Sequence, residues 1–393
     1  MQSLQQKEKN RGLEDVDERE LRLCGGIGSP YSNKVLMYLK FRRIPHRWIM
    51  MHSPEERGLA NSRGPVLLPK IVWPDGSVMN DSTFLIQRLE REYHGRAAIP
   101  SSPGLAFLSS VIEDFADEFL TKWYVNSPSP LVLTHTHTHT HLHSMYHFRW
   151  TKDPLYASEN IILQQLGGPH APHDVVEKMG KQVRERQVSR LAIVGSNSTT
   201  GRSIEMFYKK FMKLMENHLK SGFPFLFGSR PSAADFAILG QLHPMIALDP
   251  ETSHISRKHS GRVCAWYHYS TDLSGLSVLN ENKGWISENN KTGLPQSLRD
   301  IFTEILGKFY VPFMIANDEA YRAKKKTFEC YLDEGRVKWT QPTFRYQSKC
   351  VRWLREDFEK LPNDSKRFVR RVLSGTGVLR LFDASSSTES SRL

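Results

Sequence analysis

The sequence predicts a small α/β unit followed by a larger all-α domain. Three observations carry this. Between residues 20 and 95, apolar residues alternate with a period of two and then switch to helical spacing, twice, across turns marked by Gly, Pro and Asp. Beyond residue 103 the apolar spacing is helical. The composition, 39% hydrophobic and 24% charged with 20 Phe, 8 Trp and 13 Tyr, supplies enough core-forming side chains for folded domains. At ~150 residues per domain, a chain of 393 residues holds two or three.

Each element follows in order. Residues 1–19 are polar and charged, a tail expected to be disordered, as is 384–393. Glu20 to Cys24 alternates like a half-buried strand and runs into Gly25-Gly26-Ile27-Gly28. Ser29-Pro30 then opens a helix with Val35, Leu36 and Leu39 on its apolar side. Arg47 to Met51 is a second strand candidate, and residues 53–64 are rich in turn formers. Val66 to Trp73 is strand-like but contains Pro69, which cannot donate to a central ladder. Asp75-Gly76 marks a hairpin leading to a strand at Ser77-Val78-Met79. Asn80-Asp81-Ser82 caps a helix to about Tyr93. The order β-α-β then β-β-α makes a unit spanning 20–95. In the second domain, 104–375, helices are expected over Leu105–Tyr124, Ser203–Leu219, Ser232–Leu242, Arg299–Leu306, Asn317–Tyr331, Phe344–Leu361 and Ser365–Leu373, with no clear strand. Ser232–Leu242 is nearly all apolar, as a central buried helix is.

Composition excludes several function classes. No run approaches the ~18 apolar residues of a membrane helix. The polar N-terminus has no secretory hydrophobic region. Four cysteines without a CxxC pair or zinc spacing imply a reducing compartment, expected to be the cytoplasm, and no metal. A net charge of +12 and 16 histidines remain to be explained. Thr134 to His141 alternates Thr and His, as a translated (CA)n repeat does, and His143 follows. Trp123-Tyr124-Val125 can encode a splice donor and His143-Ser144 an acceptor-like end. Residues 124–144 are therefore expected to be a spurious or flexible insertion, which sequencing the transcript decides. Metal binding is the rival, since alternating His share one strand face, but the tract has no carboxylate partner.

Three features of the first unit converge on chemistry. Ser29-Pro30-Tyr31-Ser32 sits at a helix N-terminus, where unpaired N–H groups and the positive dipole end suit an anion such as a thiolate. Leu68-Pro69 is a candidate cis-proline whose preceding backbone can pair with an extended peptide. Asp81-Ser82 opens another helix, suited to a ligand carboxylate. Each alone is more often a plain cap or an edge proline. Their order and spacing are less common: Pro69 lies 40 residues after Ser29, and Ser82 lies 13 after Pro69.

In these residues the sequence resembles the glutathione transferase superfamily. Residues 20–95 look like its thioredoxin-fold domain. SPYSNK at 29–34 is similar to the motif of serine-type and omega-like members, LLPK at 67–70 to the cis-proline turn, and NDST at 80–83 to the acidic-Ser motif. Ser232-Ala233-Ala234-Asp235 resembles the capping box of the family's central helix, a folding element in which Ser232 and Asp235 cap each other. The resemblance implies that glutathione is a co-substrate, with Ser29 hydrogen-bonded to its sulfur, Leu68 beside Pro69 pairing with its cysteinyl backbone, Asp81 and Ser82 holding its γ-glutamyl end, and Lys34 helping with an anionic group. It implies transfer of glutathione to an electrophilic small molecule and is compatible with a homodimer. Serine at position 29 excludes thiol–disulfide exchange there, and Cys24 reads as a small buried hydrophobe.

Other classes fare worse. Gly25-Gly26-Ile27-Gly28 is not GxGxxG, and no GxSxG is present. Lys324-Lys325-Lys326, Lys366-Arg367 and Arg370-Arg371 are basic clusters better read as solvated helix faces than as a nucleic-acid surface. Trp266, Tyr267 and Tyr269 read as core packing before pocket wall. Trp339 to Gln347 matches no element. The runner-up function is a non-catalytic binding or scaffold protein of the same fold.

Overall fold

The alternation at the start of the chain becomes strand β1 (Leu21–Gly25), with Leu21 and Leu23 in the main core. The structure is a computed structural model, and it describes residues 20–51, 53, 56, 67–121, 159, 163, 170–190, 201–278, 283–290 and 293–383. Both predicted tails, the Thr-His tract and most of 53–64 lie outside the described residues.

Helix α1 (Pro30–Arg42) starts at Ser29 because Pro30 presets the first helical φ and has no N–H to leave unpaired. It ends at Arg43, which adopts a left-handed conformation and returns its N–H to Leu39 and Lys40. The chain then enters β2 (His46–Met50), parallel to β1. Strands β3 (Lys70–Val72) and β4 (Val78–Asn80) form an antiparallel pair, and β3 runs antiparallel to β1. The sheet order is β2-β1-β3-β4. Helix α2 (Ser82–Glu92) follows. This is the βαβ–ββα order that the alternation predicts, in the thioredoxin-like form that the resemblance implies. The strand expected over Val66–Trp73 is shorter, because Pro69 denies the ladder a donor at its start.

The remainder is largely helical. Helix α3 (Pro103–Asp114) continues into a π-helical turn, Phe115–Phe119. Helices α4 (His173–Arg190) and α5 (Gly201–Lys220) precede the buried α6 (Ala233–His243). Helices α7 (Pro250–His259), α8 (Gly261–Ser270) and α9 (Gln296–Ile301) come next, α9 running through a π-helical stretch, Phe302–Tyr310, into α10 (Val311–Arg322). Every α6 residue from Ala233 to Leu242 is buried, and α6 packs against both α1 and α3. It therefore joins the two parts of the chain in one hydrophobic core. The approach to α1 is close: a Cβ added at Gly240 would sit 2.6 Å from the Pro30 carbonyl oxygen and 2.8 Å from Lys34 Cβ. At the start of α6, the Asp235 carboxylate accepts the Ser232 N–H (2.8 Å) and the Leu226 N–H (2.9 Å), the expected capping box.

One expectation is overturned. The second domain contains strands: β5 (Thr327–Leu332) and β6 (Val337–Pro342) form an antiparallel hairpin. The helix predicted over Asn317–Tyr331 ends at Arg322. From Thr327 the burial alternates strictly, with Phe328, Cys330 and Leu332 inside and Thr327, Glu329 and Tyr331 outside. Asp333, Glu334 and Gly335, all at positive φ, turn the chain. Val337, Trp339 and Gln341 then face inward. The unassigned Trp339–Gln347 stretch is thus the second strand of this hairpin and the first turn of α11 (Arg345–Lys360). Helix α12 (Asn363–Leu373) closes the fold against α3.

Candidate active site

The strand register brings the three predicted motifs to one end of the sheet. Cys24 of β1 lies opposite Lys70 of β3, and Lys70 lies opposite Asn80 of β4. Because β1 points toward this end, β3 away from it and β4 toward it again, the chain leaving β1 (to Ser29), entering β3 (Leu68-Pro69) and leaving β4 (Asp81-Ser82) meets there.

Ser29 is the N-cap of α1, and its Oγ accepts the Ser32 N–H at 3.2 Å. That bond uses an oxygen lone pair and leaves the hydroxyl hydrogen available to a ligand anion. Asn33 braces the turn, donating from Nδ2 to the carbonyls of Ile27 (2.9 Å) and Ser29 (2.8 Å). Leu68-Pro69 is cis, as its motif predicts. Asp81 caps α2, its carboxylate accepting the Thr83 N–H at 3.1 Å. Its φ is +77°, which a non-glycine residue rarely adopts.

Lys34 does not face outward, as an anion contact would require. It is 1% exposed, and its Nζ lies 2.6 Å from Glu113, 2.5 Å from Asp117 and 3.3 Å from Thr83 Oγ1. Its three N–H groups are thereby committed, and it ties α1 to α3 and α2. Burial works against its charge, but Asp117 and Glu113 outweigh that and raise its pKa. Two carboxylates share this one ammonium, so burial still lifts Asp117 to about 6. Burial likewise lifts Asp114 to about 7, opposed by the hydrogen bond it accepts from the Tyr310 hydroxyl.

A cleft of about 680 Å³ runs from this end of the sheet to the helical part. Leu68, Asp81 and Ser82 line it, as do Asp114 at the end of α3 and Asp117 and Glu118 in the π-helical turn that follows. Helix α11 supplies a wall, with Tyr346, Trp353 and Leu354. Ser29 is not among the lining residues; Tyr31, two positions on, is. The Tyr31 hydroxyl donates to the Asp117 carbonyl at 2.9 Å, and burial first, then Glu118 and Asp117, keep this phenol protonated.

Sequence reasoning missed the α11 wall. The Tyr346 hydroxyl donates to Asp81 at 2.5 Å, linking residues 265 positions apart. Trp353 meets Phe84 of α2 edge-to-face, with ring centroids 5.3 Å apart. The signal was present, since α11 is strongly amphipathic, but periodicity does not say which surface an apolar face covers. Trp266 and Tyr267 are buried packing residues, and Tyr269 is exposed. Cys24 is fully buried in a small cluster with Ile49 and Val72. Among the described residues no three His, Cys, Asp or Glu are grouped to hold a metal ion, and no helix is long and apolar enough to cross a membrane.

Comparison with known proteins places this geometry. A family profile described as "Glutathione S-transferase, N-terminal domain" matches residues 23–97. No curated protein matches the chain. Similar solved structures include a glutathione S-transferase from Rhodospirillum rubrum F11 (15% identity, 67% of this chain and 96% of that one, TM-score 0.36). They also include the beta-etherase LigF from Sphingobium sp. strain SYK-6 (16% identity, 63% and 93%, TM-score 0.41) and human glutathione transferase theta-2 (18% identity, 65% and 83%, TM-score 0.34). At these scores the likenesses carry no weight for activity. The matched segment holds all three motifs gathered at the sheet end, and over residues 23–97 the chain is similar to a glutathione S-transferase N-terminal domain.

Proposed function

We propose that the protein is a glutathione-dependent transferase. The observation that carries this reading is the row Cys24–Lys70–Asn80, which gathers Ser29, the cis Leu68-Pro69 peptide and Asp81-Ser82 at one sheet end within a glutathione S-transferase N-terminal domain. In this reading the Leu68 backbone pairs with the cysteinyl unit of glutathione, and Asp81 with Ser82 holds its γ-glutamyl end. Lys34 acts through the carboxylates it holds and does not touch glutathione. Ser29 donates its hydroxyl hydrogen to the sulfur. A free thiol has a pKa of ~8.5, and a hydroxyl donor together with a helix N-terminus favours the thiolate. The thiolate attacks an electrophilic carbon, and the new C–S bond forms as the leaving group departs with its electron pair. Holding both reactants in one cleft supplies orientation. The same reading takes 20–95 and 104–375 as the two domains, the cytoplasm as the compartment and a homodimer as the assembly.

The test is binding to glutathione resin, followed by turnover of a generic electrophile. Ser29→Ala is expected to lower kcat by roughly 100-fold, the scale of one lost donor to a developing anion. The lost cap costs about 1 kcal/mol of stability. A second reading, a non-catalytic binding protein of this fold, is favoured by one observation: Ser29 does not line the cleft. Glutathione binding without turnover supports that second reading. No binding removes the glutathione assignment altogether.

A further inference from the structure

We propose that the turn between α10 and β5, together with the start of α11, docks on an anionic lipid bilayer. The inference goes beyond the transferase reading and stands without it. It begins from the net charge of +12, which the candidate site does not use. Lys324-Lys325-Lys326 is not the helix face its sequence suggests: α10 ends at Arg322, and the three lysines form the exposed turn into β5. Many cations of this last part of the chain are spent on carboxylates. Lys308, Lys338 and Lys366 are paired, as are Arg322, Arg355 and Arg367. By contrast, Lys324, Lys325, Lys326, Arg345 and Lys349 have no side-chain partner among the described residues.

The fold brings these residues together. The Thr343 N–H donates to the Lys326 carbonyl at 2.9 Å, and its Oγ1 donates to the Lys325 carbonyl at 2.8 Å. The Phe344 N–H donates to Asn317 Oδ1 (2.8 Å), and Asn317 Nδ2 donates to the Phe344 carbonyl (3.0 Å). The lysine turn is thus clamped to the residues just before Arg345, and Lys349 follows one helical turn on. Like charges held this close repel one another, and a surface of opposite charge relieves that repulsion. Glu319, the exposed carboxylate of α10, lines a groove with Tyr331 and Arg380 that none of these cations lines. The neighbouring apolar side chains decide the kind of surface. Tyr321 is exposed, and Phe344 is 48% exposed. Phe344 also lines the cleft with Phe84 and with Leu67, which is 58% exposed. A nucleic-acid duplex would engage the cations and leave these apolar groups in water. A bilayer takes both, with the cations on anionic headgroups and the rings and leucine in the interfacial layer.

The full-length protein is mixed with vesicles of phosphatidylcholine alone, or with about 30% phosphatidylserine, at about 0.15 M and about 0.5 M NaCl, and the bound fraction is read by flotation. Binding is expected to be roughly tenfold tighter or more on the anionic vesicles and to weaken with salt. The triple variant Lys324→Ala, Lys325→Ala, Lys326→Ala is expected to weaken it roughly 100-fold, at about fivefold for each lysine near the surface. Phe344→Ser is expected to weaken it about fivefold or more, a loss that charge alone does not produce. Arg367→Ala with Arg370→Ala, on the outer face of α12, is expected to change it by less than about twofold. The lysines and arginines substituted are half-buried or exposed, and a thermal melt checks that each variant folds. Equal partition onto neutral and anionic vesicles, or none onto either, overturns the inference. So does a triple variant or a Phe344→Ser protein that binds as the unsubstituted one does, or an α12 variant that loses as much as the triple. A short DNA duplex or polyglutamate bound more tightly than the anionic vesicles, through the same lysines, assigns the patch to nucleic acid or to an acidic protein and overturns it as well.

Discussion

Asp81 shows how a residue legible as one thing becomes two. The sequence marks it as a helix cap, and it caps α2. The fold then brings the Tyr346 hydroxyl onto the same carboxylate. Tyr346→Phe removes a partly buried hydrogen bond to a charged group and is expected to lower the unfolding free energy by about 1–2 kcal/mol. Urea unfolding checks this, and an unchanged midpoint refutes it. A second prediction concerns pH. Asp114 and Asp117 hold pKa values of about 7 and about 6, above the ordinary aspartate value, because both are buried. The native state therefore binds more protons than the unfolded state between about pH 4 and pH 7. The stability these groups contribute is complete below their unfolded pKa and is lost as pH rises through the folded values. Unfolding free energy should decline over this window, and Asp114→Asn should flatten the upper part of the decline. The groups facing Asp114 are Tyr310, Cys350, Asp117 and Glu113, and those facing Asp117 are Lys34, Glu113 and Asp81. A stability that rises over this window refutes the assignment.

At the scale of elements, the glycine that matters is Gly240. Helix α6 can lie on α1 only because position 240 has no Cβ to meet the Pro30 carbonyl. Gly240→Ala inserts a methyl group where backbone cannot yield, and its expected cost is about 1–3 kcal/mol, read as a lower Tm. The strain falls on the first turn of α1, so glutathione affinity should weaken with it. The hairpin shows where a sequence reading fails. Phe328, Cys330 and Leu332 alternate with polar neighbours, and Glu334-Gly335 follows at the turn. That is a strand signal, but the helical run of α10 just upstream obscures it, and six residues are too few for periodicity to overrule such a neighbour. The strands of the first unit were legible because each is bounded by a glycine or proline.

Across the whole molecule, the C-terminal helices belong to the core. Phe107 of α3 packs on Phe358 of α11 and on Phe382, with centroid separations of 5.5 and 5.2 Å. Helices α11 and α12 both lie against α3. Truncation after Thr343 would expose that face of α3 and remove the Tyr346 and Trp353 wall. The shortened chain is expected to elute as aggregate in size-exclusion chromatography, where the full chain gives one peak. A monodisperse truncated chain that still melts cooperatively refutes this.

The sequence by itself determined the α/β unit, its caps and the buried central helix, because these depend on local backbone chemistry and on apolar periods within a few turns. It could also carry the three motifs of the candidate site, because their spacing is a property of one short segment. Only the tertiary structure decided that Lys34 is spent on Glu113 and Asp117, that Tyr346 reaches Asp81, and that Asp114, Tyr346 and Trp353 line one cleft. Those contacts join residues tens to hundreds of positions apart, and their partners are selected by how helices pack, which no local pattern records.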